Sequence, residues 1–117
     1  MMVALVQHAI THSPDDALSR GVQAVEKAAE EGADLVVFPE LSFTPFYPRV
    51  PVRERQASAL DLAEPVPGPT TETLAQKADE LGVVVVFNLM ERDGDQTFDT
   101  SPVLDADGTL LGRTRMM

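Results

Sequence analysis

The stretch Asp34-Leu35-Val36-Val37-Phe38-Pro39-Glu40 carries a wholly apolar strand through a proline straight into a carboxylate. A side chain so placed leaves the packed layer at a strand's carboxyl end, the rim where open α/β sheets bind ligands and stage chemistry. Glu40 is therefore the first candidate for a working acid or base; the rival reading is a surface glutamate after a buried strand. Phe43, Phe46 and Tyr47, on the loop that follows, are candidates either to line a substrate pocket or to anchor that loop on the core. Asn88, closing its own apolar run, approaches the same rim or is a satisfied structural amide.

Other constellations carry less. Nothing places a Ser or Cys beside His8 or His12, so both read as surface or strand-end histidines. No Gly-x-Ser-x-Gly elbow exists, which argues against a Ser-His-Asp hydrolase of the common α/β kind. Asp93, Asp95 and Asp99, with Asp105 and Asp107, read as turn acids and not as a calcium loop, because neither cluster continues to the glutamate that an EF-hand needs at position twelve. The absence of cysteine excludes disulfides, zinc-thiolate sites and a thiol nucleophile within these residues.

The elements that must position Glu40 read as α/β. Residues 2–10 are apolar and β-prone, and Ser13-Pro14-Asp15-Asp16 is a helix start with a capping hydroxyl, a first-turn proline and acids against the dipole. Leu18, Val22, Val25 and Ala29 form an apolar stripe and Gly32 supplies the stop. The strand over 34–38 then completes a βαβ unit, whose right-handed crossover implies parallel strands. Residues 41–69 hold six prolines around one possible short helix over 52–63, a long loop of the kind that a rigid scaffold holds over a site. Gly68-Pro69-Thr70-Thr71 opens a second helix with Leu74, Ala78 and Leu81 on one face, and Gly82 closes it before a strand over 83–90. Turns at 93–95 and 105–108 then lead into strands over 97–104 and 109–117.

With 117 residues, 44% of them apolar, the chain forms at most one domain with an ample core. Its net charge of −10 disfavours nucleic acid and anionic membrane surfaces. The apolar run 83–87, like the one at the amino terminus, is far below membrane-spanning length, so a soluble cytoplasmic protein is expected. A last strand with no polar tail suggests a chain that is incomplete at its carboxyl end.

Taken together, MVALVQ, GADLVVFPELS around Glu40, the PGP before the second helix, LGVVVVFNLMER and FDTSPVLDADGTLLGR resemble the amino-terminal part of a nitrilase-superfamily carbon-nitrogen hydrolase. ELSFTPFYPR with PGP, FNL and FDTS is most similar to the N-carbamoyl amino acid and N-carbamoylputrescine amidohydrolases. The resemblance implies that residues 1–117 are the first part of a single hydrolase domain, a four-layer α-β-β-α sandwich that forms homo-oligomers when complete. It also implies a Glu-Lys-Cys catalytic set acting on a small amide or carbamoyl substrate, with Glu40 as general base and the cysteine beyond these residues. A buried carboxylate suits that role, and the chemistry the resemblance implies calls for no metal or organic cofactor.

The family's lysine, normally in a G-[KR]-Y-R-K-x-H stretch, falls at Met116 of Gly112-Arg113-Thr114-Arg115-Met116-Met117. A thioether offers an oxyanion neither a proton nor a charge, and one lost oxyanion donor costs about 3–4 kcal/mol. Arg115 or another cation serves instead, or the subgroup is divergent, or the chain is an inactive binding or assembly module. A divergent hydrolase is the favoured reading. A flavodoxin-like binding domain has the βαβ rhythm in its favour but lacks the phosphate-cradling glycine loop.

Overall fold

The computed structural model describes residues 1–7, 14–43 and 63–116. Among the described residues six strands form one sheet: β1 (Val3–Leu5), β2 (Leu35–Val37), β3 (Val84–Val86), β4 (Leu89–Asp93), β5 (Gln96–Leu104) and β6 (Leu110–Met116). The described helices are α1 (Pro14–Glu30) and α2 (Pro69–Leu81). β1, β2 and β3 are parallel, as the βαβ reading requires, and β3 then pairs antiparallel with β5. β5 is long enough to take β4 beyond β3 on one edge, while β6 pairs along the other.

Alternation along the strands divides the sheet into two faces. Val36, Val85 and Leu104 are cross-strand neighbours and fully buried, and they meet Val25 of α1 with Leu74 and Ala78 of α2 in the core. The other face carries Leu5, Val37, Val86 and Val103 in register. No helix covers it among the described residues: Val37, Val86 and Val103 are half-buried and Leu5 is 75% exposed.

α1 differs in one respect from its expected stripe. Its most buried positions are Ala17, Gly21, Val25 and Ala28, with Leu18, Val22 and Ala29 flanking them. Small residues let the helix approach closely, and Gly21 leaves room for the Phe43 ring. α2 starts on extended Gly68 with Pro69 in its first turn, and Glu64 supplies the missing cap. Its carboxylate accepts from the Thr70 backbone N–H and hydroxyl, both at 2.8 Å. Gly82 ends α2 in the left-handed region, as expected of a helix stop.

The expected strand over 83–90 is two strands. β3 follows β2 only to Val86, and the chain crosses through Phe87 and Asn88 before pairing again as β4. A continuous valine run gives no sign of this, because the break comes from β5 exchanging one neighbour for another along its length. The possible helix over 52–63 lies, but for Ala63, outside the described residues.

Candidate active site

β2 ends at Val37, and Phe38, Pro39 and Glu40 carry the chain over the sheet's rim. The turn is held tightly. The Ser42 hydroxyl donates to the Pro39 carbonyl at 2.6 Å, and Phe38 still donates its backbone N–H to Val86 at 2.9 Å. Leu41, buried, sits at φ +52°, a left-handed conformation that costs a non-glycine residue about 1–3 kcal/mol and persists only where the surroundings impose it.

Asn88 imposes it. Its side-chain oxygen accepts the Leu41 N–H at 2.7 Å, and its amide donates to Asp99 at 2.7 Å and to Ser101 at 2.9 Å. The β3–β4 break is what frees this side chain, so the satisfied structural amide expected at Asn88 is also the clamp on the turn bearing Glu40. Phe43 resolves in the same direction. Its ring is buried against Phe38 at 5.0 Å and edge-on to Phe87 at 5.7 Å, which anchors the loop to the core.

Hydrogen bonding to the neighbouring Asp99 carboxyl of β5, then the negative charge of Asp99 and last a slight desolvation raise the Glu40 pKa above the ordinary carboxylate value. Glu40 itself is exposed. The sequence favoured a buried carboxylate; here a neighbouring acid, and not burial, is the main cause of the shift. Asp99 is accordingly no turn acid but a mid-strand residue, whereas Asp105 and Asp107 do close their turn through the N–H groups of Ala106 and Thr109.

Met116 lies directly across from Asp99 in the β5–β6 register. Cross-strand partners share a face, so Met116, the position to which the sequence resemblance assigns a lysine, stands on the same face as Asp99, 59% exposed. Arg115 faces the other way. It pairs with Thr100, makes two bonds to Glu91 at 2.8 and 2.9 Å and one to Asp93 at 3.0 Å, and lies 4.3 Å above the Phe98 ring. Glu91 is 1% exposed and also receives the Thr100 hydroxyl at 2.8 Å and Arg113 at 3.0 Å. Arg115 thus neutralises a buried acid on the helix-side face, and the structure does not bring it to Glu40.

Phe46, Tyr47, His8 and His12 lie outside the described residues. A groove of about 450 Å³ between the helices, lined by Leu18, Val22, Glu26 and Thr73 among others, contains none of the candidate residues.

Glu40 thus follows the parallel strand β2 on a turn that holds Leu41 in the left-handed region. The chain belongs to the carbon-nitrogen hydrolase family, whose profile matches residues 2–117. It is 38% identical over 109 residues to a nitrilase of Paraburkholderia phymatum, covering 87% of this chain and 32% of that protein. Against an omega-amidase of Xenopus tropicalis the identity is 30% over 114 residues, covering 97% of this chain and 38% of the relative. The chain therefore spans less than two-fifths of the length of these curated relatives.

Among solved structures, an amidase of the nitrilase superfamily from Nesterenkonia superposes with a TM-score of 0.72 at 27% identity, over 97% of this chain and 41% of that one. A mutant of that amidase, with a TM-score of 0.74 at 26% identity over 100% of this chain and 44% of its own, carries acrylamide added at its active site cysteine.

Proposed function

We propose that the complete protein hydrolyses a non-peptide carbon-nitrogen bond in a small amide or N-carbamoyl amine, with Glu40 as general base to a thiol supplied by residues beyond these 117. The carrying observation is the clamped rim carboxylate whose proton affinity Asp99 raises. A thiol is mostly protonated at neutral pH and needs such a base before it attacks a carbonyl carbon. Glu40 takes the thiol proton, passes it to departing ammonia, and then activates the water that cleaves the thioester. A base whose pKa sits above the ordinary carboxylate value is the better suited to both directions of transfer.

Residues 1–117 are in this reading the first part of one hydrolase domain, whose remaining sheet covers the open apolar face. The complete enzyme is a cytoplasmic homo-oligomer. Its nitrilase and amidase relatives support amide or nitrile chemistry, while the N-carbamoyl preference rests on the ELSFTPFYPR and FDTS segments alone.

Met116 favours a second reading, an inactive module, because a thioether facing the site supplies no oxyanion donor and Arg115 is engaged elsewhere. Ammonia release by the complete protein, from N-carbamoyl amino acids, simple amides and nitriles in parallel, separates the two. Release from the carbamoyl or amide set supports the hydrolase; release from none supports the module.

A further inference from the structure

The Asn88 side chain can occupy its place in two ways, related by a half-turn that exchanges its oxygen and its NH2 group, and only one of them serves the turn. With the oxygen toward Leu41 it accepts the backbone N–H at 2.7 Å. Turned over, it would set donor against donor at a buried position. Leu41 alone is a weak reason for the choice, because its backbone can instead leave the left-handed region and release strain.

The stronger reason lies on β5. Asp99 and Ser101 are alternate residues on one face of that strand, and Asn88 falls between the β3–β5 and β4–β5 ladders. Its NH2 group donates to Asp99 Oδ1 at 2.7 Å and to Ser101 Oγ at 2.9 Å. An ionised carboxylate only accepts, so it admits the NH2 end and rejects the oxygen, whereas a hydroxyl accepts or donates and permits either.

Resting on the reading of Glu40 as general base, we propose that Asp99 is a positioning residue for it, acting through Asn88 with Ser101 in support: the acceptors on β5 fix which end of the Asn88 amide meets Leu41, and so hold the turn that carries Glu40. The route from Asp99 to the Leu41 N–H runs through one amide and two bonds of 2.7 Å. A flipped amide would place acceptor against acceptor at Asp99 as well as donor against donor at Leu41, so the two contacts reinforce each other. What the role requires at position 99 is an acceptor; the charge makes that acceptor exclusive.

The test uses the complete protein, measuring kcat and KM for ammonia release in Asp99→Leu, Asp99→Asn and Ser101→Ala, each at its own pH optimum. Asp99→Leu keeps a similar size without an acceptor, and its kcat falls by about 10- to 100-fold with KM within about twofold, because the base is displaced and Asp99 is not assigned to substrate binding. Asp99→Asn retains an oxygen that accepts from Asn88, and its kcat stays within about threefold of the parent. Ser101→Ala leaves Asp99 in place and does the same. Hydrogen exchange at the Leu41 backbone N–H, read by mass spectrometry, reports the lock without turnover: about tenfold faster in Asp99→Leu than in the parent, and within about threefold in Asp99→Asn.

A kcat in Asp99→Asn as low as in Asp99→Leu overturns the proposal, since the charge of Asp99 and not its acceptor would then be what the site needs. Unmoved exchange at Leu41 in Asp99→Leu overturns it as well, because the amide would keep its orientation unaided. Should Asp99→Leu fail to fold, Asp99→Ala is read by the same two criteria. If Glu40→Gln retains the parental rate, the general-base reading falls instead, and exchange at Leu41 still judges the orientation of Asn88.

Discussion

Replacing Asn88 with alanine tests the clamp beneath the proposed base. The substitution leaves the Leu41 N–H without its acceptor at a buried position, which costs about 1–3 kcal/mol, and it removes the amide's charge-assisted bond to Asp99, which is worth about 1.5–3 kcal/mol. Asp99 is half-buried and water recovers part of that second loss. Relaxation of Leu41 out of the left-handed region returns a fraction of its strain. The net expectation is a loss of about 3 kcal/mol, which at roughly 2–4 °C per kcal/mol lowers the melting temperature by roughly 6–12 °C. The activity of the complete protein falls further than its stability requires, by about 10- to 100-fold in kcat, because the turn bearing Glu40 is no longer held. Differential scanning calorimetry and ammonia release under conditions where the variant remains folded measure the two effects. Asn88→Asp is the control. It keeps the acceptor for Leu41 but sets a like charge against Asp99, so its stability is lowest at neutral pH and recovers on acidification as the new pair takes up a proton. A melting temperature for Asn88→Ala within about 2 °C of the parent, with unchanged kcat, would refute the clamp.

Two further substitutions probe the elements around the site. Gly21→Ala places a methyl group 2.6 Å from the Phe43 Cζ, and the ring has little room to retreat from Phe38 and Phe87; overpacking of about 1–3 kcal/mol should outweigh the roughly 1 kcal/mol gained in helix propensity. A higher melting temperature in that variant would contradict the packing described. Glu91 has a pKa held below 4.5, first by its hydrogen bond to Arg115 and also by Thr100 and Arg113, against the upward pull of burial. A depressed folded-state pKa gives stability that is present above the unfolded value, near pH 4.5, and lost as pH falls through the folded one. Thermal melts from about pH 7 down to about pH 3 should therefore fall steeply in the parent and less steeply in Glu91→Gln, which at neutral pH is less stable by about 2 kcal/mol. Parallel curves would show that the ion cluster adds nothing.

The parts of this architecture legible in the sequence are those set by local chemistry. The apolar run into Pro39-Glu40 announced a strand ending at a rim, Gly82 and Gly108 marked positions of positive φ, and Pro14 and Pro69 opened the two helices. Non-local partnerships were not legible. Asp99 looked like one more acid in an acidic chain until β5 placed it beside Glu40, a residue from the far end of the described sequence. Asn88 lay inside what read as one strand, because valine repetition is equally compatible with a run that continues and one that changes partners. Arg115 looked free to serve the site; only the β5–β6 register shows that it shares a face with Thr100 and Glu91, while Met116 shares the face of Asp99. The nearest sequence signal was the alternation of β5 itself, in which Asp99, Ser101 and Val103 fall on one face and Thr100, Pro102 and Leu104 on the buried one.

The most direct measurement is steady-state ammonia release from the preferred amide or carbamoyl substrate by the complete protein and by its Glu40→Gln variant, with folding checked by circular dichroism. Loss of the general base predicts a fall in kcat of about 10²- to 10⁴-fold with little change in KM. Equal kcat values in two folded proteins would contradict the assignment of Glu40 as the base.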